Sequence, residues 1–205
     1  VVRASTGGNL KIMLPMISGI EEVKKTYQYL EEAKAQLRKA NIRFDEKIQV
    51  GVMIEIPSAV ILADELAKMV DFFSIGTNDL VQYSLAVDRD SSLVCDMYEK
   101  FHPAVLRLID MTVKSAARNN IPVSVCGEMA SDPYASLLLI GMGVTELSVV
   151  STQYLQIKRL IRLVNYENSQ KVAAKVLTMS TINEVKTYIE DCFNKNIGEQ
   201  LEAVS

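Results

Sequence analysis

Histidine occurs once in these 205 residues, at His102, so a histidine-based metal site cannot be built within the chain. Cysteine occurs three times, at Cys95, Cys126 and Cys192, an odd number at wide spacing. That usage predicts reduced thiols in the cytoplasm rather than a disulfide framework. Charge of one sign is also scarce. Lys and Arg number 22, Asp and Glu 25, and the net charge is −3 with both signs well mixed. No basic patch of the kind a nucleic-acid surface needs is expected, and no polybasic signal for a membrane surface. No apolar run approaches the ~20 residues that span a bilayer. The start, Val1-Val2-Arg3-Ala4-Ser5, lacks the apolar core of a signal peptide. Internal repeats, low-complexity linkers and a glycine fingerprint after a strand are all missing, and the last counts against a dinucleotide-binding fold. The length suits one domain over residues 1–205 with a real core, and is short for two. A start without methionine reads as a piece of a larger protein, or as a processed chain.

What is present is alternation. Five short apolar runs read as strands: Leu10–Ile17, Ile48–Ile56, Val70–Gly76, Ile121–Cys126 and Glu146–Val150. They are continuously apolar, as parallel strands covered on both faces are. Amphipathic stretches lie between them. Ile20, Val23, Tyr27, Leu30 and Leu37 share a face over residues 20–40. Pro57 and Pro103 each suit the first turn of a helix, running to about Met69 and Asn119. Asp132-Pro133 opens another, ended near Gly141 and Gly143. Only helices follow the fifth strand, the last opened by a capping box, Thr181-x-x-Glu184. Repeated strand–helix alternation predicts an α/β fold with a parallel sheet and right-handed crossovers, either doubly wound or a barrel.

Polar residues end three consecutive strands, where parallel α/β folds collect their sites. Glu55 ends the second, Gly76-Thr77-Asn78-Asp79 the third, and Cys126-Gly127-Glu128 the fourth. Neighbouring strands lie ~4.8 Å apart, so Glu55 and Asp79 come within reach of one cation. Carboxylate oxygens suit Mg²⁺, which completes its shell with water and substrate phosphate. The alternative is a helix cap for Asp79 and a buried, paired Glu55. Arg89 is either a bidentate phosphate clamp or a surface partner of Asp88 or Asp90. Cys126 is either a proton donor, since thiols are mostly protonated at neutral pH, or a small buried hydrophobe. Cys95 and Cys192 read as structural. His102, just before Pro103, reads as a helix-start residue rather than a catalyst.

Taken together, these segments resemble a known family. Leu10-Lys-Ile-Met-Leu-Pro-Met16, Gly51-Val-Met-Ile-Glu55-Ile-Pro57, Asp71-Phe-Phe-Ser-Ile-Gly-Thr-Asn78-Asp79-Leu80, Leu85-Ala-Val-Asp-Arg89, His102-Pro-Ala and Cys126-Gly-Glu-Met-Ala130 stand in the order and spacing of the enzyme I family, the phosphoenolpyruvate–protein phosphotransferases of bacterial sugar and nitrogen-linked systems. Pyruvate, phosphate dikinase and phosphoenolpyruvate synthase share some of these signatures, but the AVDR and CGEMA forms favour enzyme I. The resemblance implies a TIM (β/α)8-type barrel, here a partial one of about five parallel strands with flanking helices. It implies Mg²⁺, or Mn²⁺, on Glu55 and Asp79. It implies phosphoenolpyruvate bound by Asn78, Asp79 and Arg89, and Cys126 as the proton donor to the enolate. It also implies a histidine-bearing amino-terminal domain, a phosphocarrier protein and a homodimer as partners.

Two departures accompany the resemblance. The Gly-Gly-x-x-Ser-His type motif around the phosphorylated histidine does not occur here, and neither do the first barrel strands with their phosphate-gripping arginines. The isolated chain is therefore expected to be inactive. The rival readings are a dikinase or synthase barrel, a non-catalytic dimerisation or regulatory module, and a metal-dependent lyase.

Overall fold

The computed structural model describes residues 1–89, 91 and 93–195. Five strands form one sheet: β1 Lys11–Leu14, β2 Gln49–Ile54, β3 Phe72–Gly76, β4 Val123–Cys126 and β5 Glu146–Leu147. All pairings are parallel and follow chain order. Each strand lies inside the apolar run that predicted it. β1 stops short of its run because Pro15 donates nothing to a ladder and Met16 turns left-handed, with φ 55°.

Helices separate the strands. They are α1 Ile20–Lys39, α2 Pro57–Ile61, α3 Ala63–Ala67, α4 Thr77–Leu85, α5 Pro103–Arg118, α6 Glu128–Ser131 and α7 Pro133–Met142, followed after β5 by α8 Tyr154–Leu163, α9 Tyr166–Val176 and α10 Ile182–Phe193. The architecture is an α/β arc of five parallel strands, part of a TIM (β/α)8-type barrel. Among the described residues no helix is long and apolar enough to cross a membrane.

Sequence signals set several helix ends. Asp132 caps α7, its Oδ1 accepting from Ala135 N at 2.9 Å. Thr181 and Glu184 form both halves of the capping box that opens α10. One expectation needs correction. The single helix expected from Pro57 to Met69 is broken at Leu62 into α2 and α3. The end expected near Gly141 and Gly143 is found: α7 closes at Met142, between them, with Gly141 in its last turn. A Cβ there would sit 2.2 Å from the Ser169 carbonyl oxygen on α9, so the glycine lets two helices touch. The terminating residue is Gly143, in the left-handed region.

The core lies on one face of the sheet. Val50, Val52, Ile54, Phe73, Ile75, Val123 and Val125 are buried there, with Leu66, Leu106, Ile109 and Leu138 from the helices. Fully burying each large aliphatic side chain contributes roughly 1.5–3 kcal/mol, so this face holds the fold together. Burial on both faces was the expectation, and the other face departs from it. Lys11 and Met13 are exposed, and Phe72, Ser124 and Cys126 only partly covered. These residues wall a groove of about 380 Å³. The reason is geometric: five strands make an open arc, and an open arc does not close over its own concave face.

Candidate active site at the strand ends

Glu55 follows β2 and is only 2% exposed. The backbone N–H of Met16, beyond the end of β1, donates to its Oε1 at 2.6 Å. Across the next strand, α4 begins directly after β3, with Gly76 as its N-cap and Asp79 in its first turn. Strand register therefore brings Glu55 and Asp79 near each other, close enough for the Asp79 charge to act on the Glu55 carboxyl. Burial pushes the Glu55 carboxyl above its usual range. The Met16 N–H opposes that shift, and the Asp79 charge adds to it. Gly76 gives the pair its room, since a Cβ there would meet Glu55 Oε2 at 2.6 Å.

Cys126 ends β4 beside this pair. Its thiol lies 3.5 Å from the Ile75 carbonyl oxygen and 3.7 Å from Ser74 Oγ. The Thr77 hydroxyl donates to the Cys126 carbonyl oxygen at 2.8 Å, and Glu128 N donates to Asn78 Oδ1 at 3.0 Å. These two bonds tie the turn after β4 to the turn after β3. Gly127 sits at the seam with φ 92°. A Cβ on it would meet Thr77 Oγ1 at 2.6 Å and Asn78 Oδ1 at 2.8 Å, so both its conformation and its surroundings demand glycine.

Arg89 reaches the same rim from the loop after α4. That loop is turned by Ala86, the left-handed residue closing the helix at φ 53°. The Arg89 charge acts on the Tyr98 phenol, and the Arg89 backbone N–H donates to Gln82 Oε1 at 3.5 Å. Asp90, considered from sequence as an Arg89 partner, lies outside the described residues, as does the Cys95 side chain. Beside these residues opens a cavity of about 680 Å³, lined by Asn78, Lys100, Cys126, Gly127, Glu128 and Gln153 among others.

Sequence reasoning had not singled out Tyr98 or the Lys100–Asp132 ion pair, 2.6 Å long. Tyr98 donates to the Asn78 carbonyl oxygen at 3.1 Å. Its only prior signal was an aromatic side chain just before the His102-Pro103 helix start. His102 itself is an N-cap, with Nδ1 accepting from Ala104 N at 3.1 Å. Cys192 lies on α10, hydrogen-bonded with Tyr188 and remote from these strand ends in sequence. Among the described residues no group of three or more His, Cys, Asp or Glu side chains converges as a metal cage. Glu55 and Asp79 are a pair.

The chain matches the model of a family described as PEP-utilising enzyme, PEP-binding domain, over residues 1–166. It is similar to phosphoenolpyruvate-protein phosphotransferases. Identity is 43% over 194 residues with that of Mycoplasma capricolum, covering 95% of this chain and 34% of the relative. It is 42% over 193 residues with that of Bacillus subtilis, covering 94% and 34%. It is 44% over 196 residues with that of Haemophilus influenzae, covering 96% and 34%. The chain thus spans about a third of the length of these relatives. In fold it resembles the crystal structure of a citrate lyase from Burkholderia xenovorans LB400, with TM-score 0.53 and 16% identity, covering 93% of this chain and 64% of that one. With the family match running from before β1 through α8, this chain belongs to the PEP-utilising enzymes, in their PEP-binding domain.

Proposed function

We propose that residues 1–205 are one domain, the phosphoenolpyruvate-binding and dimerisation domain of a cytoplasmic phosphoenolpyruvate–protein phosphotransferase serving sugar transport. The complete protein would pass the phosphoryl group from phosphoenolpyruvate to a histidine of a separate domain, and from there to a phosphocarrier protein. The observation that carries this reading is the placement of Glu55, Asp79 and the Cys126 thiol at the ends of three neighbouring parallel strands. The names of the relatives favour a protein phosphotransferase over a dikinase or synthase.

Glu55 and Asp79 fit a hard divalent cation. Two neighbouring carboxyl groups, one of them buried and pushed above its usual range, are a donor pair that Mg²⁺ or Mn²⁺ suits. The bound cation would supply charge neutralisation on the phosphoryl oxygens. The chain's own groups do the rest. Asn78 and Asp79 lie in the first turn of α4, where backbone N–H groups have no partner within the helix and suit an anion. Arg89 binds the phosphoryl group with its guanidinium fork. In the forward direction the bond between phosphorus and the enol oxygen breaks as a phosphorus–nitrogen bond forms on the acceptor histidine. The electron pair left on the enol oxygen becomes an enolate. Its methylene carbon then takes the proton of the Cys126 thiol, giving pyruvate and a thiolate, and the reverse reaction returns that proton.

The test uses the complete protein, phosphoenolpyruvate labelled in its phosphoryl group, and the carrier. Asp79→Ala is expected to fold and to transfer no label. Normal turnover by that variant would end this reading.

A further inference from the structure

Ser74 is a polar residue inside an apolar strand. Its neighbours Phe73 and Ile75 are fully buried, and Ser74 itself is only 5% exposed. A buried hydroxyl costs free energy unless it meets a good partner. The partner of Ser74 is the Cys126 thiol, to which its Oγ donates at 3.7 Å. A neutral thiol is a weak acceptor, and the contact is correspondingly long. Register explains the meeting. Gly76 pairs with Cys126 across β3 and β4, and Ser74, two residues earlier, shares its face and stands diagonal to the cysteine. Gly76, directly opposite, has no side chain to come between them. The other hydroxyls nearby are committed to backbone. Ser124 Oγ donates to the Phe73 carbonyl oxygen at 3.3 Å, and Thr77 Oγ1 to that of Cys126 at 2.8 Å. Cys126 lines both the cavity beside the site and the groove on the concave face, whereas Ser74 lines the groove and not the cavity.

Proton transfer changes the worth of this contact. As the thiol gives its proton to the methylene carbon of the enolate, a C–H bond forms, the S–H bond breaks and its electron pair stays on sulfur. The thiolate then faces the Ile75 carbonyl oxygen, 3.5 Å away, whose partial negative charge opposes it. The Ser74 hydroxyl is the donor already at the sulfur. A hydrogen bond to an ionised acceptor is shorter and about twice as strong as one between neutral groups. An interaction that strengthens as charge develops lowers the barrier instead of only tightening the resting state.

We propose that Ser74 is a further catalytic residue: its hydroxyl, buried against the Cys126 sulfur, stabilises the thiolate that Cys126 becomes when it protonates the enolate. In the reverse direction the same hydroxyl holds the thiolate that takes a proton from the methyl group of pyruvate. The inference rests on Cys126 being the proton donor of the proposed function.

The experiment uses the complete protein and reads two rates: uptake of solvent deuterium into the methyl group of pyruvate, and exchange of phosphoryl between the histidine domain and the carrier. Ser74→Ala removes only the hydroxyl. It is expected to slow deuterium uptake roughly ten- to hundredfold, the range of one hydrogen bond to a charged group. Phosphoryl exchange, which needs no proton on carbon, should stay within about twofold of the parent. The melting temperature should stay near the parental one, because the neutral thiol is a weak partner. Ser74→Thr keeps a hydroxyl and is expected to bring deuterium uptake back to within about threefold of the parent. Parental uptake by Ser74→Ala would overturn the proposal. Equal losses in both rates, or a marked fall in melting temperature, would assign the hydroxyl to packing and overturn it too. So would a Ser74→Thr variant that melts like the parent yet takes up deuterium as slowly as Ser74→Ala. Parental uptake by Cys126→Ala would instead remove the proton-donor role given to Cys126 itself, a separate failure.

Discussion

The backbone N–H of Met16 donates to Oε1 of Glu55 at 2.6 Å, and Met16 makes that contact from a left-handed backbone conformation. Such conformations cost a non-glycine residue about 1 kcal/mol or more and tend to mark functional sites. Glu55 thus has a structural duty as well as any chemical one, and two substitutions separate them. Glu55→Ala leaves the Met16 N–H without its acceptor and is expected to lower stability by about 1–3 kcal/mol. Glu55→Gln keeps an acceptor oxygen for Met16 and offers Asp79 a donor in place of a second carboxyl. It is expected to melt near the parent while losing phosphoryl transfer. Paired denaturant melts and activity assays check both halves.

Gly76 and Gly127 protect the same geometry sterically. In Gly76→Ala the new methyl would lie 2.6 Å from Glu55 Oε2 and 3.1 Å from Met53 Sδ. The carboxyl must move, so activity is expected to fall at least a hundredfold, since small displacements at a reacting centre cost about that much. Gly127→Ala adds a strained φ to two contacts below 3 Å. It should lose both stability and activity, and thermal melting of the two variants side by side would show the difference.

Cys126 carries a third prediction. Its thiol meets the Ile75 carbonyl at 3.5 Å and the Ser74 hydroxyl at 3.7 Å, both long contacts, so Cys126→Ala removes little. The complete protein with Cys126→Ala is expected to stop exchanging solvent deuterium into the methyl group of pyruvate. Exchange of phosphoryl between histidines, which needs no proton on carbon, should suffer much less. Deuterium uptake at the parental rate would reduce Cys126 to a packing residue.

Most of the frame was legible because parallel strands and their carboxyl ends are written locally. Each apolar run contains its strand, and counting to the strand end places Glu55, Asp79 and Cys126 on one rim. The misreadings have one cause in common. Gly141 has a packing role besides standing near a helix end, and local sequence does not show that α9 passes within contact of it. Met16 acts through a backbone N–H that any residue possesses, so its side chain carries no signal. Tyr98 touches Asn78 across 20 residues, and nothing in its neighbours announces the contact. The open concave face was misjudged because a buried strand and a half-covered one look alike when the missing cover is another strand.

The pH dependence of stability has a clear sign at one clamp. Arg118 grips Asp64 with Nε at 3.2 Å and Nη2 at 2.7 Å, and Asn119 Nδ2 adds a contact at 3.2 Å, joining α3 to the end of α5. The Arg118 hydrogen bond holds the Asp64 carboxyl below its ordinary value. A carboxylate lowered on folding stabilises the fold above its unfolded pKa, and that stabilisation disappears as pH falls through the lower, folded value. Asp64→Asn should therefore cost more stability at pH 7 than at pH 3. The clamp is solvent-exposed, so the effect should also shrink in high salt. Urea melts at the two pH values and two salt concentrations would check it.

The last prediction concerns the chain by itself. An acceptor histidine must present a ring nitrogen to the phosphoryl group, and His102 is the chain's one histidine. Its Nδ1 is committed to the N–H of Ala104 at the start of α5, and it sits in a capping role that the fold requires. The chain is therefore expected neither to phosphorylate itself from phosphoenolpyruvate nor to label a carrier protein. Among the described residues β1 pairs only with β2, and β5 only with β4. Both outer edges thus offer unpaired backbone groups, and Met13, 42% exposed, stands on the uncovered face. Unpaired edges beside exposed apolar surface favour association with another copy. The isolated chain is expected to elute above its monomer mass by light scattering at micromolar concentration. Stable label on the chain would refute the first expectation, and a clean monomer would refute the second.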